Sequence, residues 1–520
     1  MDCSAFQLFT SFAKAVGVRC MVVNLLLVAP RRDPLRNLPG PDSPPSRATS
    51  VSPDITPGIY NEWTMKLFGK TFRYHGYGKH DYRLMSFDLR VLSHVLNSPI
   101  YEKPWQTRSF LGRLLGRGVF NMEGAEHKAL RKLIGPAFTA QAVKGKAEEL
   151  RDRWDSLVSG NASSCYSAES SASAPTTLDV AHWISRTTFD IIGLAGLDYH
   201  FNALHDESEQ VYSAYRRMFA ISDNTSKFRS KRETVIAEKL DSRCEDKDIL
   251  TLLIKSNLLN EPSKRLSDSD LLDQLSSFLF AGSDSTALAI TWCLHLLSQY
   301  PEVQTRLRTE IMTFPVLETT GSKRNSTSSV SSTSSLMQAD TIDALPFLDA
   351  VVRETLRVVP PVHGTVRVAT TDDLIPVSHP VTLRNGKTIH EDGHIRIGKG
   401  SFVHIPIEGI NLSEDLWGSD ARQFNPDRWA TLPHEAKHPA FPGLANLMTF
   451  SFGPHACPGY RFSLTEIKVV IATLLPQFVF RPAEGLEIGK YNSILTRPFV
   501  RDQLASGGIQ LPLQVSQYMG

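Results

Sequence analysis

With 520 residues, 57.8 kDa and 41% hydrophobic content, the chain is long enough for one very large domain or several ordinary ones, and its composition excludes a polymer that is disordered throughout. Its 56 Lys and Arg stand against 54 Asp and Glu, a near-neutral balance that gives no basis for a nucleic-acid partner or a polyanionic substrate. Cys3, Cys20, Cys165, Cys244, Cys293 and Cys457 form no C-x-x-C pair, which argues against a zinc site or a disulfide framework and fits a reducing, cytosol-facing compartment.

The N-terminus carries an apolar run from Phe6 to Val18 that contains Lys14, then Arg19, then a second run from Cys20 to Ala29. A spanning helix needs roughly twenty apolar residues, a length reached here only by tolerating the two charges. Arg31, Arg32 and Arg36 follow, then Leu38-Pro39-Gly40-Pro41, in the manner of positive-inside flanking and a proline-rich hinge. Residues 1–30 are therefore read as a membrane anchor, in preference to a signal peptide or a helix lying in the interface. Asp42 to Pro57 reads as a linker, Thr71-Phe72-Arg73-Tyr74 as a short strand, and helical patterning dominates from about Leu89.

Glu126 to Lys132 reads as a basic helix ended by Gly135-Pro136-Ala137-Phe138, with His127 and Arg131 at i, i+4. Alone it would be an ordinary solvated face. Ser159 to Thr177 and Thr319 to Leu336, rich in Ser with Ala or Thr, read as solvated insertions. From Ser267 onward, capping groups and helix-spaced leucines with no proline before Pro301 predict a helix of roughly thirty residues, about 45 Å long. Its middle, Ala281-Gly282-Ser283-Asp284-Ser285-Thr286, clusters small and hydroxyl residues that let something large pass close by and can loosen the backbone ladder. Glu354 and Arg357 share a face of the helical stretch Leu348 to Val358, a spacing that in isolation means a surface ion pair. Arg367 follows Pro360-Pro361, and Arg428 sits in the proline-fixed aromatic loop Phe424-Asn425-Pro426-Asp427-Arg428-Trp429.

Phe450-Ser451-Phe452-Gly453-Pro454-His455-Ala456-Cys457-Pro458-Gly459 presents one cysteine at the end of a glycine-bearing loop. Gly453 and Gly459 allow unusual backbone angles and close approach of a flat ligand, Pro458 stiffens the exit, and free amides can point at the sulfur. Such a site suits a thiolate on heme iron, which favours O–O cleavage. An isolated buried cysteine would be structural.

The loop resembles that of the cytochrome P-450 family, F-x-x-G-x-[R/H]-x-C-x-G, with His455 where arginine is commoner. The resemblance runs from about Leu38 to the C-terminus and carries four patterns in family order. It implies a mainly α heme domain over residues 31–520 with a small β-rich region from the N-terminal strands and the segments near Thr370 to Ile407 and Ile494 to Leu513. It also implies heme b with Cys457 as iron ligand, lying against Phe450, Gly453, His455, Gly459, Ala281 and Gly282, with His127, Arg131 and Arg367 on the propionates. Glu354, Arg357 and Arg428 match a structural triad. Asp284 with Ser285 matches the acid and hydroxyl that deliver protons to dioxygen; the family usually has threonine at Ser285, and Thr286 is an alternative carrier. The activity implied is monooxygenation of a lipophilic small molecule, a terpenoid or other secondary metabolite as in fungal members. Electrons would come from an NADPH-dependent cytochrome reductase that docks on the face carrying Lys128 and Lys132. The expected place is the endoplasmic reticulum membrane, with the catalytic part facing the cytosol. Departing from the family, the interval between Leu204 and Ser267, near 205–266, is short and holds only a stub of the roof helices that close the substrate cavity. That gives weight to a degenerate heme-binding protein; a peroxide-using or rearranging heme-thiolate enzyme is the other alternative, and Asp284 and Ser285 argue against it.

Overall fold

The computed structural model describes residues 29–42, 66–76, 80–134, 151–152, 154–155, 175–197, 199–206, 210–219, 267–313, 342, 344–437, 447–492 and 494–519. Residues 1–28 of the anchor, most of the linker, the helix end at 135–138, nearly all of the two insertions and most of the roof interval lie outside them. Among the described residues no helix is long and apolar enough to cross a membrane.

In chain order, the elements that position the site are β1 Thr71–His75, β2 Tyr82–Ser86, α1 Leu89–Asn97, β3 Tyr101–Glu102, α2 Gly124–Ile134, β4 Thr176–Asp179, α3 Val180–Leu197, α4 Gln210–Phe219, α5 Asp268–Gln299, α6 Pro346–Val358, β5 Thr365–Ala369, β6 Phe402–Ile405, α7 Tyr460–Leu474, β7 Phe478–Pro482, β8 Ile488–Asn492, β9 Thr496–Val500 and β10 Pro512–Gln517. They fall into two compact units.

The first unit takes its described residues from Met1–Trp105, Gly364–Leu416 and Glu435–His455. Its core is a five-stranded sheet in the order β1-β2-β6-β5-β3, antiparallel except for the parallel β2–β6 pair. Every residue of β1 is buried, Arg73 and His75 included, because Arg73 Nη1 donates to the Pro41 carbonyl at 3.1 Å and meets His75 Nε2 at 2.9 Å. The segment read as a hinge is thus docked: the Arg73 N–H donates to the Pro39 carbonyl at 2.8 Å, and Leu38 is buried. Gly40, at φ +147°, has no room for a side chain, since a Cβ would lie 2.0 Å from the Arg73 carbonyl oxygen.

The second unit takes its described residues from Gln106–His363, Trp417–His434 and Ala456–Gly520. The predicted long helix is α5, 32 residues ending just before Pro301, where a proline-initiated helix begins. Helix α3 packs on α5 and is buried on all sides apart from Ala181, His182 and Leu194. Its two charged residues are satisfied internally: Arg186 donates to the Ala203 carbonyl at 2.5 Å, and Asp190 accepts the Ala203 and Leu204 N–H groups at 2.9 and 3.0 Å. A three-stranded sheet β7-β10-β4 flanks this pair, with the hairpin β8–β9 beside it in sequence. Strand β4 corrects the reading of Ser159 to Thr177 as solvated insertion at its C-terminal end: the β-branched pair Thr176-Thr177 pairs with β10.

Candidate active site

The second unit holds the cysteine and most of the expected partners. Cys457 is half-buried in the turn before α7, whose N-cap is Gly459. The Gly459 N–H donates to the sulfur, and the Arg131 guanidinium lies beside it. Burial nevertheless dominates and holds the thiol above its ordinary value, so ionisation has to come with metal coordination. Arg131, on α2, donates from Nη1 to the Ala456 carbonyl, and His127, one turn earlier on α2, is buried. The donor set is one soft sulfur with an amide and a cation turned toward it, chemistry that fits a thiolate ligand to a heme iron. Among the described residues no group of three or more His, Cys, Asp or Glu could hold a bare metal ion.

On α5 the six-residue cluster divides its tasks. The Ser285 hydroxyl donates to the Ala281 carbonyl one turn back at 2.5 Å, and α5 stays helical through the cluster. Thr286 points elsewhere, its Oγ1 lying 2.9 Å from Ser463 Oγ on α7. Gly282 serves helix packing: a Cβ there would lie 2.6 Å from Cδ1 of Ile192 on α3, so the space left by its missing side chain belongs to a helix crossing. Ala281 is half-buried.

Asp284 is buried and paired with Arg497 of β9 at 2.6 Å. No motif in the sequence announces Arg497. Tyr215 and Arg216 of α4 also face Asp284. Burial, and after it the charge of Asp284, hold the Tyr215 hydroxyl well above its usual value, so it stays protonated.

Glu354 and Arg357 depart furthest from the bland reading of a surface pair, since both side chains are fully buried. Glu354 accepts from Arg357 Nε and Nη2 at 2.8 Å each, from Arg428 Nε at 3.0 Å, from the Asn425 N–H at 2.9 Å and from Trp429 Nε1 at 3.0 Å. Arg357 also donates to the carbonyls of Ala421 and Gln423, and Arg428 binds Asp420, a second acid that sequence reasoning missed along with the Trp429 donor. The network pins the loop 417–429 to α6.

In the first unit, the loop leading to the cysteine is held by Asn411, which accepts the Met448 N–H at 3.0 Å and donates to Thr449 Oγ1 at 2.9 Å. Phe450 and His455 are half-buried; Ser451 and Gly453 adopt left-handed angles, φ 54° and +72°. A Cβ on Gly453 would lie 2.7 Å from the Leu96 carbonyl oxygen at the end of α1. Gly453→Ala is therefore expected to cost about 1–3 kcal/mol of stability and to lower heme retention, measured by urea unfolding and by heme content. Arg367 is buried on β5, with Nη1 donating to Thr365 Oγ1 and to the Val366 carbonyl, both at 3.0 Å.

A cytochrome P450 family model matches residues 59–229 and 211–498, two segments that overlap at 211–229. Cytochrome P450 monooxygenase 128 of Postia placenta is 34% identical, the match covering 96% of this chain and 95% of that protein. Ganoderic acid synthetase CYP5150L8 of Ganoderma lucidum is 29% identical, covering 87% and 89%. The crystal structure of the cytochrome P450 CYP102L1 superimposes with a TM-score of 0.66 at 22% identity, covering 93% of this chain and 97% of that one, which gives the fold. Family and fold together imply a heme-iron cofactor, and the relatives' names an oxidoreductase of the monooxygenase type. The chain belongs to the cytochrome P450 family.

Proposed function

We propose that this enzyme is a heme-thiolate monooxygenase that places one oxygen atom of dioxygen in a lipophilic small molecule of the terpenoid or wider secondary-metabolite class. A relative named for ganoderic acid supports that class. Bound heme b would supply dioxygen activation, with Cys457 as its axial ligand and His127, Arg131 and Arg367 on its propionates. Phe450, Gly453, His455 and Gly459 would shape the loop around that ligand, and the Gly459 N–H would temper its charge. Residues 1–30 would anchor the catalytic part, 31–520, to the cytosolic face of the endoplasmic reticulum, where an NADPH-dependent reductase supplies electrons; Arg31, Arg32 and Arg36, all exposed, suit such a flank.

Within this reading Asp284 and Ser285 move protons to the reacting oxygen, and Thr286 anchors. The observation that carries it is the 2.9 Å contact of Thr286 with Ser463: it ties the acid and hydroxyl turn of α5 to the helix that leaves Cys457, on the Thr286 side, and leaves Ser285 to rotate between the Ala281 carbonyl and a reacting group. Ser285→Ala should lower coupled turnover about 10²-fold, the usual worth of a proton donor, while Thr286→Ala should act mainly on stability.

The test is the reduced carbon monoxide difference spectrum, followed by reductase-dependent incorporation of one atom of isotopically labelled dioxygen across a panel of lipophilic natural products. A thiolate band with labelled product supports the reading. Peroxide-driven product without reductase, or a thiolate band with no oxygen uptake under reductase, overturns it.

A further inference from the structure

The hairpin β8–β9 reaches into the machinery of α5 at two points. Arg497 Nη2 lies 2.6 Å from Asp284 Oδ2, with side chains 9% and 3% exposed, between residues 213 positions apart. The residue before it is fixed three ways: the Thr496 N–H donates to the Pro361 carbonyl at 2.8 Å, its Oγ1 to the Pro360 carbonyl at 2.8 Å, and its carbonyl accepts from Trp292 Nε1 at 3.0 Å. Trp292 lies on the same helix as Asp284, about 12 Å further along its axis. The hairpin therefore grips α5 at both Trp292 and Asp284, with the double-proline segment behind it as a stop.

A buried aspartate has one short, freely rotating arm, and its charge is costly unless it is met by a partner. Arg497 meets it with a charge-assisted bond of fixed direction. Among the described residues, the other charged or titratable groups that face Asp284 are Tyr215 and Arg216 on α4. Tyr215 remains a neutral phenol, and Arg216 also faces Asp179, Tyr212 and Tyr215, so Arg497 alone is held against the carboxylate by an anchored strand.

We propose that Arg497 is a positioning residue for proton delivery: it fixes the orientation of Asp284, so that the hairpin, and not α5 alone, governs how efficiently protons reach the Ser285 turn. The inference rests on the roles proposed above for Asp284 and Ser285. It extends the machinery to a strand that carries none of the motifs read from the sequence.

The probe is dioxygen with NADPH and a fungal cytochrome reductase, no organic substrate being needed. Arg497→Met should keep the heme content and the reduced carbon monoxide spectrum, slow NADPH consumption about tenfold, and raise its solvent deuterium isotope effect, because an acid–base group is worth about 10²–10⁴-fold and Arg497 acts on it indirectly. Arg497→Lys should recover most of the rate, and Arg497→Met combined with Asp284→Asn should be no slower than Asp284→Asn. A wild-type rate and isotope effect in Arg497→Met, or additive losses in the double variant, would overturn the proposal. Should Arg497→Met fail to fold, urea unfolding of Arg497→Lys, Asp284→Asn and their combination decides: coupled effects support the pair, independent effects remove it. A wild-type protein without a thiolate band defeats the proposed function instead, and the unfolding cycle still reads the pair on its own.

Discussion

Glu354→Ala is expected to yield protein that does not incorporate heme and unfolds with about 3–5 kcal/mol less stability, the range for breaking a buried ion pair from one side. The size follows from what the carboxylate holds. Glu354 collects five hydrogen bonds from four residues, and three of those residues, Asn425, Arg428 and Trp429, lie in one loop. Removing it leaves two guanidinium groups side by side, with Arg357 fully buried and Asp420 the acid that remains beside Arg428. Arg357 then repels Arg428, and the loop 417–429 loses its fixed place on α6. Glu354→Gln keeps the shape but cannot accept from every donor and should be nearly as damaging. For contrast, Lys66→Ala at the exposed pair with Glu414 should change stability by about 0–1 kcal/mol. Heme per polypeptide and urea unfolding measure both, and a Glu354→Ala protein with full heme content would show that the network is dispensable for the site.

The same network illustrates which parts of the site can be read from sequence. Glu354, Arg357 and Arg428 are visible because charge spacing within a helix and a proline-fixed loop are local properties. Trp429 Nε1 and Asp420 are not, since an indole or a carboxylate in a loop carries no sign of which buried acceptor or donor it will meet. The 32-residue helix is legible from its caps, its leucine spacing and the absence of proline. The contact of Gly282 with Ile192 is not, because a small residue carries no sign of its neighbour, and the meeting depends on how α3 crosses α5. The Asp284–Arg497 pair is the extreme case: it spans 213 positions and depends on the hairpin, on Trp292 and on Pro360-Pro361 together. Strands β4 and β7 were likewise invisible, as short segments whose character is settled by pairing with a distant partner.

Cys457→Ser should remove the thiolate band of the reduced carbon monoxide complex and abolish reductase-driven oxygenation, by more than the roughly 100-fold typical of losing an outer-shell partner alone. A hydroxyl is a far weaker acid than a thiol, and its oxygen is a harder donor than sulfur. The site does little to ionise even the thiol: burial raises it, and the Gly459 amide and Arg131 offset that only in part. A serine there would stay neutral and offer iron a weak oxygen donor. Cys293 provides the internal control. It is fully buried on α5 beside Thr355, its thiol is pushed up to about 12 by burial, and it is neutral at pH 7. Cys293→Ser should therefore leave the spectrum unchanged while costing about 1–3 kcal/mol for a hydroxyl placed in an apolar site. If the band survives in Cys457→Ser, or disappears in Cys293→Ser with heme still bound, the iron ligand lies elsewhere and the roles assigned to Arg131, Gly459 and the loop before them fall with it.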